Sequence, residues 1–396
     1  MPSDVLPATA VHVKGPCWRE GAPSLQATLA AYSTIGFQAT NLGIACDETA
    51  RMLASRLPGA PVEERVTVFV AATANLFHTG VRDCLREFCA SRAADCLCVS
   101  GGAVEIDVER AVRRWREMTT DQNDVDTALD ALRQRSLSFL TGKECVNDIE
   151  SALMLNCRDT VMMTLLCAAM ASRLATNQGA SASVSLRKVN TEMPAANSDA
   201  TRRLVMTPSD LIWRIGAALN ALLPRSIACT SVVAVCANSP NLRVFCPSLL
   251  DGTMSGELLS LRRAGGINGL PHLHIDLLRD IDGINRMAVK AKRSGVIILG
   301  GGVVKHHVLN ANLMRNGADH AVIISTAQEF DGSDAGARPD EAVSWGKIRA
   351  TAKGIKVYAD AAVAFPLLVA HAFLPMKDVL TGSRPEDTPS SSNPAQ

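Results

Sequence analysis

The feature that most constrains the fold is the alternation of short β-rich runs with helical patterns along the chain. Strands that are buried on both faces are nearly continuous apolar runs, and strands separated by helices pair in parallel. Runs of this kind occupy residues 66–71, 95–99, 232–236, 244–246, 296–299, 321–324 and 355–358. The sequence therefore predicts an α/β fold with a mostly parallel sheet and helices on both of its faces.

The bulk composition excludes several classes of partner. The chain has 396 residues and a formal net charge of +1, which gives no strong electrostatic reason to expect a nucleic acid or a membrane surface. The N-terminus lacks a basic stretch followed by an apolar core, and no window of about 18 residues is apolar without interruption. We therefore expect a cytoplasmic protein.

The 12 cysteines are predicted to be free thiols in a reducing compartment. None of them has the paired short spacings of a zinc site, and Cys96-Leu97-Cys98 is too tight for the usual one. Many lie in apolar runs, where cysteine behaves as a small hydrophobic residue. The sequence therefore predicts no metal site.

The chain is predicted to form a single domain over residues 17–376. Residues 1–16 are interrupted by proline, and residues 377–396 are too polar to offset the entropy lost on ordering them. We therefore expect a flexible N-terminal arm and a disordered C-terminal tail. The stretch at about 173–205 is rich in Ala, Ser, Thr and Asn, which predicts a surface insertion between two helices.

Candidate chemistry lies just past the apolar runs, because ligands of open parallel sheets bind at the carboxyl ends of the strands. Glycines or acids follow four of the runs: Gly300-Gly301-Gly302, Ser100-Gly101-Gly102 with Glu105, the loop acids Glu329, Asp331 and Asp334, and Asp360. The glycines fit either a backbone that approaches an anionic ligand or a tight turn. Each acid fits either a ligand contact or an ordinary cap, and their collection at one sheet edge favours a site.

Lys347 is the candidate nucleophile. A lone lysine is most simply a solvated charge and a poor nucleophile. Here Trp345 and Gly346 precede it, so that an apolar wall would favour the neutral amine that Schiff-base chemistry needs. His306 and His307 follow the glycines, and each fits either a proton relay or a core histidine with satisfied hydrogen bonds.

These residues carry a resemblance to the deoxyhypusine synthases. Residues 300–316, 327–349 and 357–366 resemble the C-terminal half of that family, and Gly-Phe-Gln-Ala-Thr-Asn-Leu-Gly at 36–43 resembles its N-terminal signature. The resemblance is strong over about 294–373, recognisable over 30–108 and 207–257, and lost over 113–205. On these motifs the chain is identified as a member of the family.

The resemblance implies a doubly wound, Rossmann-like fold and NAD as the cofactor. It also implies a homotetramer, or a heterotetramer with a paralogue. In the implied reaction NAD takes a hydride from spermidine, and the aminobutyl group passes as an imine to an enzyme lysine. That group is then transferred to a lysine of the precursor of eukaryotic translation initiation factor 5A and reduced.

The resemblance also implies residue roles. Lys347 matches the covalent lysine, and His306 matches a histidine that contacts spermidine and is a candidate proton acceptor. The implied substrate contacts are Glu105, Glu257, Asn310, Gly332, Ser333, Asp334, Glu341 and Trp345. The implied cofactor contacts are Asn75, His78, Ser100, Gly101, Gly102, Asp251, Gly301, Thr326, Ala327, Asp331, Asp360 and Ala361. Because spermidine is a polycation, carboxylates at both ends of an apolar channel suit it.

The chain departs from the family pattern mainly on the cofactor side. Ile106 replaces an acid, His78 and Ala335 each replace a serine, and Glu257 is an irregularly spaced stand-in for an aspartate. Two hypotheses follow from these changes. The chain is either an active synthase, alone or beside a paralogue, or a catalytically weak or inactive regulatory subunit. A Schiff-base lyase that uses Lys347 without NAD is a third possibility.

Overall fold

The computed structural model describes residues 13–16, 23–141, 153, 160–177 and 203–382. The strands are β1 (Val66–Ala72), β2 (Cys96–Cys98), β3 (Arg203–Met206), β4 (Arg243–Phe245), β5 (His272–Ile275), β6 (Arg293–Leu299), β7 (His320–Ile324) and β8 (Gly354–Val357). Six of them form one parallel sheet in the order β4-β2-β1-β6-β7-β8, and β3 pairs with β5 in a second parallel sheet. The predicted α/β fold with a mostly parallel sheet is confirmed.

Helices connect and cover these strands. The α-helices are α1 (Leu25–Ala31), α2 (Phe37–Ala54), α3 (Val81–Ala90), α4 (Gly101–Met118), α5 (Gln122–Thr141), α6 (Thr160–Asn177), α7 (Pro208–Leu222), α8 (Arg225–Ala228), α9 (Val232–Ala237), α10 (Met254–Ala264), α11 (Leu277–Lys290), α12 (Gly302–Leu313), α13 (Pro339–Ser344), α14 (Ala361–Leu368) and α15 (Lys377–Gly382). Short 3₁₀ turns include Ala74–His78, Glu329–Asp331 and Asp334–Gly336, and Val369–Phe373 forms a π turn.

The main sheet has a hydrophobic core on each face. On β6, Ile297 and Leu299 pack in one core with residues of α2, α3, α4 and α14. Val296 and Ile298 face the opposite side and pack in the other core with residues of α11 and α12. Because helices cover both faces, the strand is apolar at every one of these positions, and the arrangement is doubly wound.

The second sheet was not predicted from the sequence. In β3, Arg203 and Val205 are exposed whereas Leu204 and Met206 are buried, as expected for a strand with one covered face. β3 and β5 have only 4 residues each. So short a pattern of period two does not stand out from its surroundings.

The prediction of a strand at 232–236 is wrong, because these residues belong to helix α9. The Ser231 hydroxyl caps this helix by accepting a backbone N–H of its first turn. The buried carboxylate of Asp107 accepts from the amides of Val232 and Val233 at 3.0 and 2.9 Å. These acceptors satisfy the first helical amides, so tertiary contacts outweigh the strand preference of a β-branched run.

The predicted boundaries are only partly covered by the structure. Of the insertion predicted at 173–205, residues 178–202 lie outside the described part, and the described ends belong to α6 and β3. Of the predicted N-terminal arm, residues 13–16 are described. The predicted disordered tail begins too early, since residues 377–382 form α15 and Leu380 is buried. Residues 383–396 lie outside the described part.

The cysteines for which the structure gives a state are free thiols, as predicted: Cys46, Cys84, Cys89, Cys96, Cys98, Cys167, Cys229, Cys236 and Cys246. Cys96 and Cys98 are fully buried on β2, and this burial raises the pKa of both thiols well above its ordinary value. A thiol of this kind packs as an apolar side chain and is a poor nucleophile.

One helical run, Ala361–Gly382, is long and apolar enough by composition to cross a membrane. Within it, Phe365 and Phe373 are fully buried and pack against Phe88 of α3. Their ring centroids lie 6.4 and 5.2 Å from that of Phe88, respectively. These aromatic side chains therefore belong to the core of the domain.

Glu48 links α2 to β7 through a buried ion pair. His320 Nδ1 lies 2.7 Å from Glu48 Oε1, and Arg51 pairs with the other carboxylate oxygen. Burial raises the pKa of the Glu48 carboxyl, but the hydrogen bond and charge of His320 and the charge of Arg51 outweigh it, so the pKa is lowered. Such a carboxyl stabilises the fold above its ordinary pKa and loses that contribution as the pH falls through its folded pKa.

We therefore expect Glu48→Gln to lower the free energy of unfolding by about 1–3 kcal/mol at neutral pH. The difference from wild type should shrink as the pH falls through the lowered folded pKa of Glu48, because the wild-type carboxylate then also becomes protonated. Urea unfolding curves at neutral and acid pH measure it, with the exposed neighbour Asp47→Asn as a control. A difference that is independent of pH would contradict the role assigned to this pair.

Candidate active site

All six strands of the main sheet run in the same direction, so their carboxyl ends meet at one edge. The segments that leave this edge contain the glycines and acids selected from the sequence. They are residues 73–78 after β1, 100–102 after β2, 246–252 after β4, 300–302 after β6, 325–337 after β7 and 358–361 after β8. The topology therefore collects side chains from six separate parts of the chain.

A cleft of about 690 Å³ opens at this edge between α12, the loop after β7 and α13. Seven residues predicted to act on the substrate line it: His306, Gly332, Ser333, Asp334, Glu341, Trp345 and Lys347. Four residues that were not predicted as substrate contacts complete the lining: Glu329, Ala337, Arg338 and Asp340. Carboxylates outnumber cationic groups in this lining, so the cleft suits a cationic ligand.

The C-terminal end of α13 fixes the position of the Lys347 backbone. Gly346 has a φ of 72°, a left-handed conformation that residues with a side chain rarely adopt. The amide of Lys347 donates to the carbonyl of Ala342, and the amide of Gly346 donates to that of Val343, both at 2.8 Å, which is a Schellman motif. Ala318 N then donates to the carbonyl of Lys347 at 3.0 Å. The backbone of the lysine is therefore held on both sides, and its half-buried side chain lines the cleft.

Replacing Gly346 with alanine is expected to cost about 1–2 kcal/mol of stability, because alanine disfavours the left-handed conformation. We expect a larger relative loss of activity, since a different helix end would displace the Lys347 amine, and a displacement of about 1 Å can cost roughly 100-fold in rate. Steady-state kinetics and urea unfolding measure the two effects. Gly80→Ala is a matched control, because Gly80 has an ordinary φ of −68° and open space around it. Full activity in the Gly346 variant would contradict this account.

The sequence predicts an apolar wall beside Lys347. In the described residues, the aromatic side chains that would form it are exposed to solvent. The Trp345 side chain is 66% exposed. Phe330, on the turn Glu329–Asp331 that follows β7, is 87% exposed. An indole and a phenyl ring at this exposure leave a large apolar surface at the mouth of the site.

His306 and Asp334 form the polar centre of the cleft. His306 Nε2 lies 3.0 Å from Asp334 Oδ2. Lys305 lies behind this pair, donates to the Asp334 carbonyl, and has its Nζ 3.7 Å from Oδ2. Burial lowers the pKa of the Lys305 amine, and the charges of Asp334 and Glu341 oppose that shift. The carboxylate of Asp334 lies beside an imidazole that can accept a proton and, with Glu341, offers negative charge to a ligand.

One wall of the cleft was anticipated only in part, because the sequence selected Glu329 as a candidate acid but not its partners Arg338 and Tyr358. The Glu329 carboxylate accepts from Arg338 Nε and, at 3.0 Å, from the hydroxyl of Tyr358 at the end of β8. Glu329 and Arg338, near the two ends of the loop after β7, are therefore linked to each other and, through Tyr358, to the end of β8. The available signal was position, since Glu329 and Arg338 flank Asp334 in the same polar loop.

Three predicted substrate residues lie outside the lining of this cleft. The Glu105 carboxylate accepts from the amides of Thr253 and Met254 at the start of α10. Glu257 is buried in the first turn of the same helix. Asn310 lies on α12 and is exposed. The structure therefore groups Glu105 with α10, towards the β4 side of the sheet, and not with Lys347.

The predicted cofactor residues occupy the rest of the edge. The 12-residue helix α12 begins after Gly301 without a side-chain cap, whereas at the start of the 18-residue helix α4 the Gly101 amide already donates to the carbonyl of Ser248 at 2.9 Å. A Cβ added to Gly302 would meet no atom within 4 Å, so the backbone at the start of α12 is open to approach. Uncapped amides at helix N-termini favour anionic groups, and the residues present therefore fit the phosphates of a dinucleotide.

Two of the predicted cofactor acids act as local caps. Asp360 accepts from Ala362 N at 2.8 Å at the start of α14, and Asp331 accepts from Gln328 N at 2.9 Å in a capping box. The sequence allowed each acid to be either a ligand contact or a helix cap, and in the structure the contacts of these two are those of caps. The other predicted cofactor residues lie along the same edge: Asn75 and His78 after β1, Ser100, Gly101 and Gly102 after β2, Asp251 before α10, Gly301 after β6, Thr326 and Ala327 after β7, and Ala361 in α14.

The fold is that of an α/β protein whose cleft at the carboxyl edge of the sheet presents an amine, an imidazole and several carboxylates, a set of groups that suits an enzyme active site. The deoxyhypusine synthase family model matches residues 27–195 and 182–372 of the chain. The chain is 32% identical to deoxyhypusine synthase of Trypanosoma brucei brucei, over 94% of this chain and 93% of that protein. It is 36% identical to deoxyhypusine synthase of Arabidopsis thaliana, over 87% of this chain and 85% of that protein. The chain belongs to the deoxyhypusine synthase family.

The comparisons also correct the extent of the resemblance. The family model covers residues 113–195, a stretch in which the motifs alone showed no similarity. A crystal structure from Entamoeba histolytica, provisionally named a deoxyhypusine synthase, is 24% identical and aligns with a TM-score of 0.53. That alignment covers 91% of this chain and 96% of the other, and it shows a shared fold.

Proposed function

We propose that this chain transfers the aminobutyl group of spermidine to a lysine of the precursor of eukaryotic translation initiation factor 5A, with NAD as the cofactor. The observation that carries the proposal is that Lys347, His306 and Asp334 line one cleft whose other charged groups are mostly carboxylates. Spermidine is a polycation, so carboxylates bind its amines through charge-assisted hydrogen bonds. The face of Trp345 adds a surface on which an alkylammonium chain packs.

Each residue of the cleft has a step in this proposal. Asp334 and Glu341 hold the amines, and His306, which lies beside Asp334, accepts the proton that the secondary amine loses on oxidation. Lys347 then attacks the imine carbon, releases the aminopropyl part of spermidine as a diamine, and retains the aminobutyl group as an imine. The lysine of the substrate protein displaces Lys347 in the same way, which regenerates the free amine.

The cofactor site belongs to the same proposal. When bound, NAD supplies a hydride acceptor for spermidine and returns the hydride to the final imine. The uncapped start of α12 would hold its phosphates. Residues at the ends of β7 and β8, including Thr326 and Asp360, would hold its ribose groups.

We further propose that a second subunit completes the cleft, in a homotetramer or a heterotetramer with a paralogue. The exposed Trp345 and Phe330 at its mouth support this proposal, because exposed aromatic residues of this size are typical of interfaces. A covered mouth would exclude water from the imine on Lys347 and so protect it from hydrolysis.

The test is deoxyhypusine formation by the purified chain with NAD, radiolabelled spermidine and the factor 5A precursor, with and without a co-expressed paralogue. Activity of the chain alone would support a self-sufficient enzyme that tolerates Ile106 and His78. Activity only with the partner would support a composite site. Absence of activity in both mixtures, together with no binding of spermidine, would refute the proposal for this cleft.

A further inference from the structure

Two buried lysines lie behind the cleft and touch no substrate in the proposed reaction. Lys305, on α12, is 3% exposed, and Lys356, on β8, is 5% exposed. Burial lowers the pKa of both amines, and the positive charge of Lys305 lowers that of Lys356 further. A buried ammonium group is costly unless polar partners surround it, so its partners reveal what it holds.

The hydrogen bonds of both ammonium groups go to the carbonyl oxygens of one turn, residues 334–337, and the Lys356 ammonium also lies 4.5 Å from the centroid of the Tyr358 ring. Lys305 donates to the carbonyl of Asp334. Lys356 donates to the carbonyls of the next three residues, at 3.2, 2.6 and 3.3 Å. Four consecutive carbonyl groups therefore point at two ammonium groups, and these hydrogen bonds are charge-assisted.

The turn also packs closely against neighbouring backbone. A Cβ added to Gly336 would lie 2.0 Å from the carbonyl oxygen of Gln328. A Cβ added to Gly301, at the start of α12, would lie 2.4 Å from the Cβ of Ala335. The turn is therefore in close backbone contact at two points, in addition to its hydrogen bonds with the lysines.

We propose that Lys305 and Lys356 are positioning residues, which hold the turn by its carbonyls and thereby set the Asp334 carboxylate where it meets His306 and an incoming ammonium group. The inference rests on the proposed function of the cleft. In this inference the lysines affect spermidine binding by fixing the position of the turn's main chain, and not by their positive charge alone.

Three explanations of the role of these lysines predict different changes in the KM for spermidine and in kcat when the lysines are replaced. If the lysines act by position, their removal displaces Asp334 and raises the KM for spermidine. If they act only by charge, their removal takes cations away from a cation-binding carboxylate and lowers the KM. If they serve only the stability of the fold, their removal lowers the fraction of folded enzyme, so kcat falls while the KM stays constant.

The experiment compares Lys356→Met and Lys305→Met with wild type. Methionine keeps an unbranched apolar stem and removes every donor. We expect the KM and the calorimetric Kd for spermidine to rise about tenfold or more, as the loss of charge-assisted hydrogen bonds implies. Hydrogen exchange of a peptide spanning residues 328–338 should become faster in the same variants. Lys353→Met is the matched control, because Lys353 is exposed just before β8, and it should change neither quantity.

An unchanged KM with unchanged hydrogen exchange in both variants would overturn the inference, and so would tighter binding of spermidine. If Lys356→Met does not fold, Lys356→Gln keeps an amide NH2 group with two donors and should show a smaller shift in the same direction. If wild type itself does not bind spermidine, the proposed function fails. In that event, hydrogen exchange in the variants still decides whether the lysines hold the turn.

Discussion

Replacing Lys347 with alanine is expected to abolish deoxyhypusine formation, with a loss in kcat of at least about 10³-fold. In the described lining of the cleft, Lys347 supplies the primary amine. The other cationic side chain there is Arg338, and its guanidinium remains protonated and does not form an imine. The amine of Lys305 is occupied by the carbonyl of Asp334 and lies behind that carboxylate. Among the described residues around the cleft, no other group is therefore placed to take over the covalent step.

The covalent step has its own readout. Wild type incubated with NAD and spermidine, then reduced with borohydride, should gain the mass of one aminobutyl group on the peptide that contains Lys347. Lys347→Arg is the matched variant, because it keeps a positive charge without an amine that forms an imine, and it should show neither the adduct nor turnover. Full transfer by either variant would refute the assignment. An adduct formed without NAD would indicate a Schiff-base lyase instead.

Replacing Asp107 with alanine is expected to lower the free energy of unfolding by about 3–5 kcal/mol, the cost of breaking a buried ion pair on one side. The Asp107 carboxylate is fully buried. It accepts from Arg82 Nε at 2.7 Å and from the Ser231 hydroxyl at 2.6 Å, in addition to two amides of α9. The substitution therefore leaves a buried guanidinium, a hydroxyl and the start of a helix without their acceptor.

Urea unfolding at neutral pH measures this loss. Asp83→Ala is the matched control, because Asp83 pairs with the same Arg82 at 3.4 Å but has a side chain that is 58% exposed. An exposed pair contributes at most about 1 kcal/mol, so the control should change little. A loss below about 1 kcal/mol for Asp107→Ala would show that α9 and Arg82 find other partners.

The strands of the main sheet were predictable because both of their faces are buried. Runs such as 296–299 and 321–324 are apolar at every position, which few other local structures require. The run at 232–236 has the same composition, yet it forms a helix because a carboxylate more than a hundred residues earlier in the chain accepts its first amides. The composition of residues 232–236 alone therefore cannot predict that they form a helix.

The site was predictable in part for a similar reason. His306, Asp334, Glu341, Trp345 and Lys347 stand in motifs that resemble a known family, and the structure brings them to one cleft. The wall formed by Glu329 and Arg338 depends on Tyr358 at the end of another strand, so its role is visible only when the sheet is assembled.

The sequence by itself determined the parallel sheet, the edge at which its polar residues gather, and the family to which the motifs belong. Apolar periodicity and motif spacing are local properties that any reader of the chain can measure. Only the tertiary structure decided that 232–236 is a helix, that Glu105 caps α10, and that two buried lysines hold the turn at 334–337. These outcomes depend on which distant groups satisfy buried polar atoms, and folding the whole chain is what brings those groups together.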